Sequence, residues 1–497
     1  MKYQRLLLGA IMVSMALVIP GRALPQSQTP VDQTQELKKL VQQMQAQMDK
    51  MQAEIDRLKG AKAEAPPSEA AAPPAAAPAT QEGTIQTAQP PREAAPSQQV
   101  GEATAKYRQF SEDAVAAARF DNAPLDPKYH GYFRLPGTQT LLKIGGYFKS
   151  DFIYDLKPAG NTDMFIPSSF PVPQPTSVNN STVSIRPTRL SVDFRVPSSH
   201  FGDARFYVEG DFFGSNSTTP RLRHAYGQVK NFLLGQTFSN FMDPDAFPDT
   251  LDFEGPNGMV NARNPQFRYG FALSPSTTFY IAVEKPSSDV AFKTSQFTLQ
   301  PNAPSPDGTI RLRKEWERGH FQASGLFRSI AASVGSGATA KTDSVFGWGV
   351  NASLGFKTFE RDNVIFAVAY GHGISRYLQD TSGLGIDAEA KSSTGLQATP
   401  GFGVEGAYQH YWRKKLRSSL VYSYASVDNT SFFAAAAPTT FNHSTYTGGN
   451  LIWNIFGSLN VGAEYLYGWS MEQNHLSANA PRIQVSAKYS FVKVDPD

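Results

Sequence analysis

The sequence predicts an all-β protein: a 16-stranded antiparallel transmembrane β-barrel, preceded by an N-terminal α-helical coiled coil and a disordered linker. Three observations carry that prediction. From Leu141 to Phe491 sixteen segments alternate apolar and polar residues with period two. The connections between them alternate short and long. Aromatic residues on the apolar parity gather at both ends of the segments.

The alternation is the primary signal. Successive residues of a strand point to opposite faces, and a barrel in lipid turns apolar residues outward and polar ones inward. In the first segment Leu142, Ile144, Phe148, Phe152 and Tyr154 share one parity, and Lys143, Lys149, Asp151 and Asp155 the other. The last sets Ile483, Val485, Ala487, Tyr489 and Phe491 against Arg482, Gln484, Ser486 and Lys488. Between them strands are expected near 185–197, 203–213, 220–230, 232–241, 265–273, 277–285, 308–317, 320–331, 345–358, 363–377, 401–412, 416–428, 445–456 and 459–471.

The connections 198–202, 230–231, 274–276, 317–319, 359–362, 413–415 and 457–458 are short. Those at 157–180, 242–264, 286–307, 378–400 and 429–444 are long. Short periplasmic turns and long outer loops on an even number of strands belong to an outer-membrane barrel. Closure satisfies the backbone in lipid and removes edges. Tyr154, Trp348, Tyr424, Tyr467 and Trp469 fall toward the outer ends; Trp316, Trp412, Tyr489 and Phe491 fall toward the periplasmic ends. Amphipathic rings prefer the headgroup level.

Two places resist the pattern. Lys314 has lipid-facing parity, where a midplane charge would cost about 2–4 kcal/mol; a rim position, a subunit interface or a bulge would each account for it. Arg186-Pro187-Thr188 opens the second strand badly, and proline there points to a bulge.

The N-terminal part has its own organisation. Lys2 and Arg5, the apolar run Leu6–Ile19 and Gly21-Arg22-Ala23 order themselves as a secretory signal over residues 1–23, with cleavage after Ala23. A membrane anchor is the alternative, but the run falls short of the roughly 20 residues a helical span needs. Over residues 32–59, Leu37, Val41, Met44, Met48, Met51, Ile55 and Leu58 form a heptad seam of a and d positions. Glu54 and Lys59 are spaced for an interhelical pair. Residues 60–132 form an Ala/Pro-rich linker, with a short helix expected at Glu112–Arg119 behind the cap Ser111. The barrel takes residues 133–497.

Composition excludes several classes. There is no cysteine in 497 residues, which removes disulfides and thiolate metal sites. A net charge of +3 is too small to argue for nucleic acid. No cofactor and no metal site is expected.

Several stretches then carry a family likeness: FRLPGTQTLLKIGGYFKSDFIYDL from Phe133 to Leu156, RPTRLSVDFRV from Arg186, EGDFF from Glu209, RLRHAY from Arg221, and LGQTFSNFMDPDAFPDTLDFEGPNG from Leu234 to Gly258. On these the chain resembles the DcaP-like trimeric outer-membrane porins. The resemblance covers most of the chain and is clearest from Phe133 to Arg268. It implies a sixteen-stranded barrel, a homotrimer in outer-membrane lipid, and diffusion of small, mainly anionic solutes such as dicarboxylates. One departure is the tail Val492–Asp497, since barrels of this kind usually stop at a terminal aromatic. The coiled coil also disagrees mildly: β-branched residues at a with Leu at d favour dimers. Met at 44, 48 and 51 blunts that rule, and the trimer is taken from the barrel.

Inward parity nominates the lumen residues. Arg189, Arg195, Arg205, Arg221 and Arg223 make a basic wall on strands two to four, joined by Arg268, Arg311, Arg313, Arg328, Lys357, Arg417 and Lys488. Inward acids are Asp151, Asp193, Glu209, Asp211, Glu315, Glu317, Glu405 and Glu464, so mutual pairing is the alternative reading of the wall. The third outer loop carries Asp243, Asp245, Asp249, Asp252 and Glu254 among Phe247, Leu251 and Phe253. It is expected to fold inward as a constriction opposite the basic wall; cation binding or a surface position are the alternatives. An enzyme would need a nucleophile, base and orienting group together, and inward parity sets no histidine beside a serine and an acid. No catalytic residue is expected. A tether gripping the cell wall through the N-terminal arm, and a less selective general porin, are the remaining rival functions.

Overall fold

The computed structural model describes residues 132–490 except 176–178, 198–201, 216–217, 295–297, 335–340, 360 and 393–394. The signal, the seam Leu37–Leu58, the linker and the tail beyond Ser490 lie outside the described residues.

Sixteen strands form the wall. They are β1 Leu141–Asp155; β2, in two pieces, Asn180–Ser184 and Arg189–Val196; β3 Ala204–Asp211; and β4 Arg221–Val229. Then come β5 Phe232–Phe238, β6 Arg263–Ser274, β7 Thr277–Glu284 and β8 Asp307–Trp316. They are followed by β9 Gly319–Val334, β10 Lys341–Thr358, β11 Asp362–His372 and β12 Pro400–Arg413. The wall ends with β13 Leu416–Val427, β14 Phe441–Phe456, β15 Leu459–Glu472 and β16 Ser477–Ser490. Each strand pairs antiparallel with the next, and β16 pairs with β1 from Tyr147↔Ser490 to Asp155↔Arg482, which closes the barrel. Closure leaves no strand edge to lipid.

The period-2 pattern maps onto burial. In β1, Lys149, Asp151 and Asp155 are buried inside, while Phe148 and Phe152 are exposed outside. The outer aromatic level is built by Trp348 stacked on His372, 5.6 Å between ring centres, and by His443 against Trp469 at 4.9 Å. At the short-turn end His410 meets Trp412 at 4.5 Å.

Both irregularities resolve. Between Ser184 and Arg189 the second strand leaves the ladder: four residues of β2 face three of β1, so the inward parity changes from even to odd. Thr188 fills the gap, its hydroxyl accepting from Lys149 N at 3.2 Å and donating to Lys149 O at 3.3 Å. The ladder through Lys314 is unbroken, which removes the bulge explanation; Lys314 pairs with Phe321, close to the 317–318 turn, and is exposed there. It lies at the rim. The strand expected to run to Tyr377 stops at His372 and gives way to a turn of 3-10 helix at Ser375–Tyr377. Glu317, expected inside, sits in the 317–318 turn and is exposed.

Candidate functional site

The third outer loop, residues 239–262, is buried inside the barrel at every position but the half-buried Thr250. Backbone placed there needs hydrogen-bond partners, and the inward polar side chains of the wall supply them. Ser324 and Asn351 donate to Phe241 O at 2.6 and 2.9 Å, and Gln322 donates to Met242 O at 2.9 Å. Farther along, Asn450 donates to Asp249 O, while Lys149 and Gln484 donate to Leu251 O at 2.7 and 2.8 Å. Glu464 accepts from the amides of Leu251 and Asp252. Gly258 packs backbone to backbone on β12 and β13: a Cβ there would lie 2.1 Å from Tyr424 O of β13, and one on Gly403 of β12 2.2 Å from Gly258 O.

The loop's acids bind the same side. Asp243 and Asp245 meet Arg313 at 3.0 and 2.5 Å, and Asp249 meets Arg417 at 2.5 Å. Asp252 turns back on the loops, accepting from Gly255 N and Phe165 N. The apolar residues explain why the segment leaves water. Phe247 joins the cluster with Phe238, Phe241 and Met242, and Phe253 lies 4.1 Å from Phe213.

A second loop holds the third. Between β11 and β12, residues 373–390 turn inward, and Tyr377 O, Met259 O and Asn257 O exchange backbone bonds with Asn261, Gln379 and Asp380. Asp380 also accepts from Ser168 N at 3.0 Å and from Ser444 Oγ. Arg376 and Tyr377 reach Asp307 on β8 at 2.9 and 2.8 Å, and Arg328 bonds Asp387 at 2.9 Å.

The loop acids are shifted in opposite directions. Burial alone would raise Asp243, but His320 and Arg313 outweigh it and hold this carboxyl well below the ordinary range. Glu254 goes the other way: burial, with Asp252 beside it, pushes it well above that range against Arg221 and Arg263. Burial raises Asp252 as well, and pushes Asp380 up to about 6 against hydrogen bonds from Ser444 and Ser168.

On β2–β4 the five arginines all face inward, interleaved with acids of their own strands. Arg205 binds Asp193 at 2.6 Å, with Arg195 at 3.6 Å from the same carboxylate. Arg223 bridges Glu209 at 2.6 Å and Asp211 at 3.2 Å. Arg221 meets Asp211 at 2.7 Å, and Arg189 lies 3.6 Å from Glu209. Three carboxylates of these strands face the five guanidiniums. Arg268 and Arg311 continue the row across β6 and β8, both over the Tyr280 ring, at 6.0 and 4.0 Å. Arg313, expected to line the channel, instead latches the third loop.

A bulge hidden from parity alters the histidine count. Between Glu209↔His224 and Gly210↔Leu222, Arg223 is the extra residue, so Arg223 and His224 both point inward. His224 lies 3.9 Å from Glu209 and 3.1 Å from Thr237 Oγ1. On β9, His320 is buried 2.8 Å from Asp243, which also accepts from Ser353 at 2.7 Å. The expectation that no histidine sits inside beside a serine and an acid is therefore corrected. Ser353 and His320 both bind Asp243 Oδ2, so the imidazole is not placed on the hydroxyl as a base for a nucleophile would be. The trio is a latch. Sequence reasoning also missed Arg263, half-buried near Arg221, Arg223 and Glu254; Arg482, on the inward parity expected of it, forks onto Asp155 at 2.6 and 3.1 Å. Among the described residues no group of three or more acidic, histidine or cysteine side chains could hold a metal.

Comparison with known proteins fits this architecture. The crystal structure of the outer membrane channel DcaP of Acinetobacter baumannii superposes with a TM-score of 0.62 at 23% identity, covering 72% of this chain and 99% of that one. An anion-selective porin from Comamonas acidovorans gives 0.47 at 9% identity over 71% of this chain and 100% of that one. The trimer form of Vibrio cholerae OmpT gives 0.45 at 11% identity over 71% and 99%. No curated protein matches. The model of the DcaP outer membrane protein family matches residues 134–491, nearly the whole barrel, and the chain belongs to that family of outer-membrane channels.

Proposed function

We propose that the barrel is a passive channel for small, mainly anionic solutes of the dicarboxylate class, working as a homotrimer with its N-terminal arm in the periplasm. One observation carries the reading. The loop acids Asp243, Asp245 and Asp249 are tied to arginines on β8 and β13, while the arginines of β2–β4 outnumber the acids on their own strands. The wall keeps a positive excess where the loop narrows the lumen. At an effective dielectric of about 20, one guanidinium about 7 Å away stabilises an anion by about 2 kcal/mol. Beyond the roughly 8 Å Debye length that attraction is screened, so selectivity depends on the narrowing. Guanidiniums at intervals give a carboxylate successive partners without trapping it.

The test is the reversal potential of purified channels in a salt gradient, with dicarboxylate flux against a neutral sugar of similar size. Arg221→Gln with Arg223→Gln should move the potential toward cations and cut dicarboxylate flux more than sugar flux. A folded double variant unchanged in both removes the wall from the permeation path and favours a general porin. Val41→Asp, Met48→Asp and Ile55→Asp together should lower the temperature of trimer dissociation and spare single-channel conductance. A collapse of conductance would make the arm part of the path.

A further inference from the structure

Three consecutive short turns on one side of the barrel differ from the rest. The end of β8 and its turn carry Lys314 and Arg318, the β10–β11 connection Arg361, and the end of β12 with its turn Arg413, Lys414 and Lys415, all exposed. Among the described residues of these turns the exposed acid is Glu317, Glu360 precedes Arg361 in sequence, and Asp362 is buried under Tyr408, His410 and Tyr411 N. Among the described residues the other turns at this end lack the concentration: 202–203 carries Asp203, 230–231 carries Lys230, and 275–276 and 457–458 carry no charge.

Apolar rings accompany these cations. Trp316 and Trp412 are exposed on the outer face of the same strands, at the level where aromatic belts meet headgroups. Phe359 is 79% exposed and sits with φ at 41°, a left-handed position that bulky side chains rarely occupy. Arg318 donates to Phe359 O at 2.7 Å, joining two of the turns. Lysine and arginine beside membrane-level aromatics are what anionic headgroups attract, over distances no longer than a Debye length.

We propose that this rim, from β8 to β13, binds anionic phospholipid headgroups of the periplasmic leaflet. The phosphate is the recognised group, the cations of the three turns supply the charge, and Trp316, Phe359 and Trp412 enter the boundary between headgroup and acyl chain. Charge complementarity and continuity with the aromatic belt select a lipid over a soluble partner, which would gain nothing from rings at membrane level.

The experiment is native mass spectrometry of the full-length protein after equilibration with mixed phosphatidylglycerol and phosphatidylcholine. The unmodified protein should retain phosphatidylglycerol several-fold over phosphatidylcholine, and the preference should fall as salt rises. In Arg361→Gln with Lys414→Gln and Lys415→Gln the preference should approach unity, while heat-modifiable gel migration remains that of a folded barrel. Equal retention of the two lipids by the unmodified protein, or a preference indifferent to salt, overturns the proposal without reference to any variant. Two further arms separate other sources of the chemistry. Inorganic phosphate at matched ionic strength should leave the preference intact; its specific loss would indicate a free-phosphate site instead. Cosedimentation with purified cell-wall sacculi should not depend on these three residues. If it does while lipid preference stays unchanged, the rim binds cell wall and the lipid proposal fails.

Discussion

The wall of β8–β13 and the wall of β2–β4 use the same residue type for opposite ends. On the first, Arg313 and Arg417 are taken up by acids of the third loop, and Ser353 and His320 close on the same Asp243 carboxylate. On the second, Arg189, Arg195, Arg205, Arg221 and Arg223 share three acids of their own wall. An arginine whose partner comes from a distant segment fixes that segment's position. An arginine whose carboxylate comes from a neighbouring strand of its own wall does not position the loop through that pair. Inward parity is common to both, so the role follows from who supplies the carboxylate.

The largest effect should come from the latch. Arg313→Gln leaves Asp243 and Asp245 buried without their cation, and breaking a buried pair from one side typically costs about 3–5 kcal/mol. The loop should be released toward the lumen axis, and single-channel recordings should show noisy openings of clearly different conductance. A quiet channel of unmodified conductance would mean that the amides held by Glu464 and the carbonyls held by Ser324, Asn351 and Gln484 suffice. His320→Gln with Ser353→Ala should act in the same direction but less, since Arg313 still faces Asp243. A hydrogen bond to a charged carboxylate is worth about 1.5–3 kcal/mol. On the other wall Arg221→Gln with Arg223→Gln should move selectivity with little change in conductance. If that pair altered gating and Arg313→Gln altered only selectivity, the division between the walls would be reversed.

How much of this was legible in sequence depends on the length scale of the signal. The sixteen strands were, because each repeats its parity over many residues and the loop lengths repeat the same alternation. The loop's inward fold was legible from Phe247, Leu251 and Phe253 among acids, a mixture that water does not stabilise. A one-residue insertion was not: the extra Arg223 and the break at Ile185–Thr188 each invert parity locally, and that is how His224 came to be missed. The second loop was invisible for another reason. Tyr377 and Asp380 meet residues of the third loop more than a hundred positions earlier, through backbone bonds that carry no residue signature. The division of the arginines was illegible too, since Arg313 and Arg311 share one strand and one parity, yet one holds the loop and the other lies on Tyr280.

The smallest predicted effect separates the two supports of the third loop by the sign of their response to pH. Asp243 is held below its ordinary range, so its contribution is present above the unfolded carboxylate pKa of about 3.9 and is lost only as pH falls through its folded value. Asp380, in the second loop, is pushed up to about 6. Its contribution is fully present below the unfolded value and is lost as pH rises through about 6, because the ionised form is the one burial penalises. Between about pH 4 and 6 the latch on the wall therefore holds while the clamp from the second loop weakens. Raising pH across that window should increase brief conductance fluctuations without changing mean selectivity. Asp380→Asn removes the titration but keeps a side chain that can meet Ser168 N and Ser444, so its fluctuations should be low and flat over the same window. The comparison is made on one bilayer apparatus, at fixed salt, with buffer exchange during the recording. A flat profile in the unmodified channel, or a slope that survives in Asp380→Asn, would show that Asp380 does not govern the clamp.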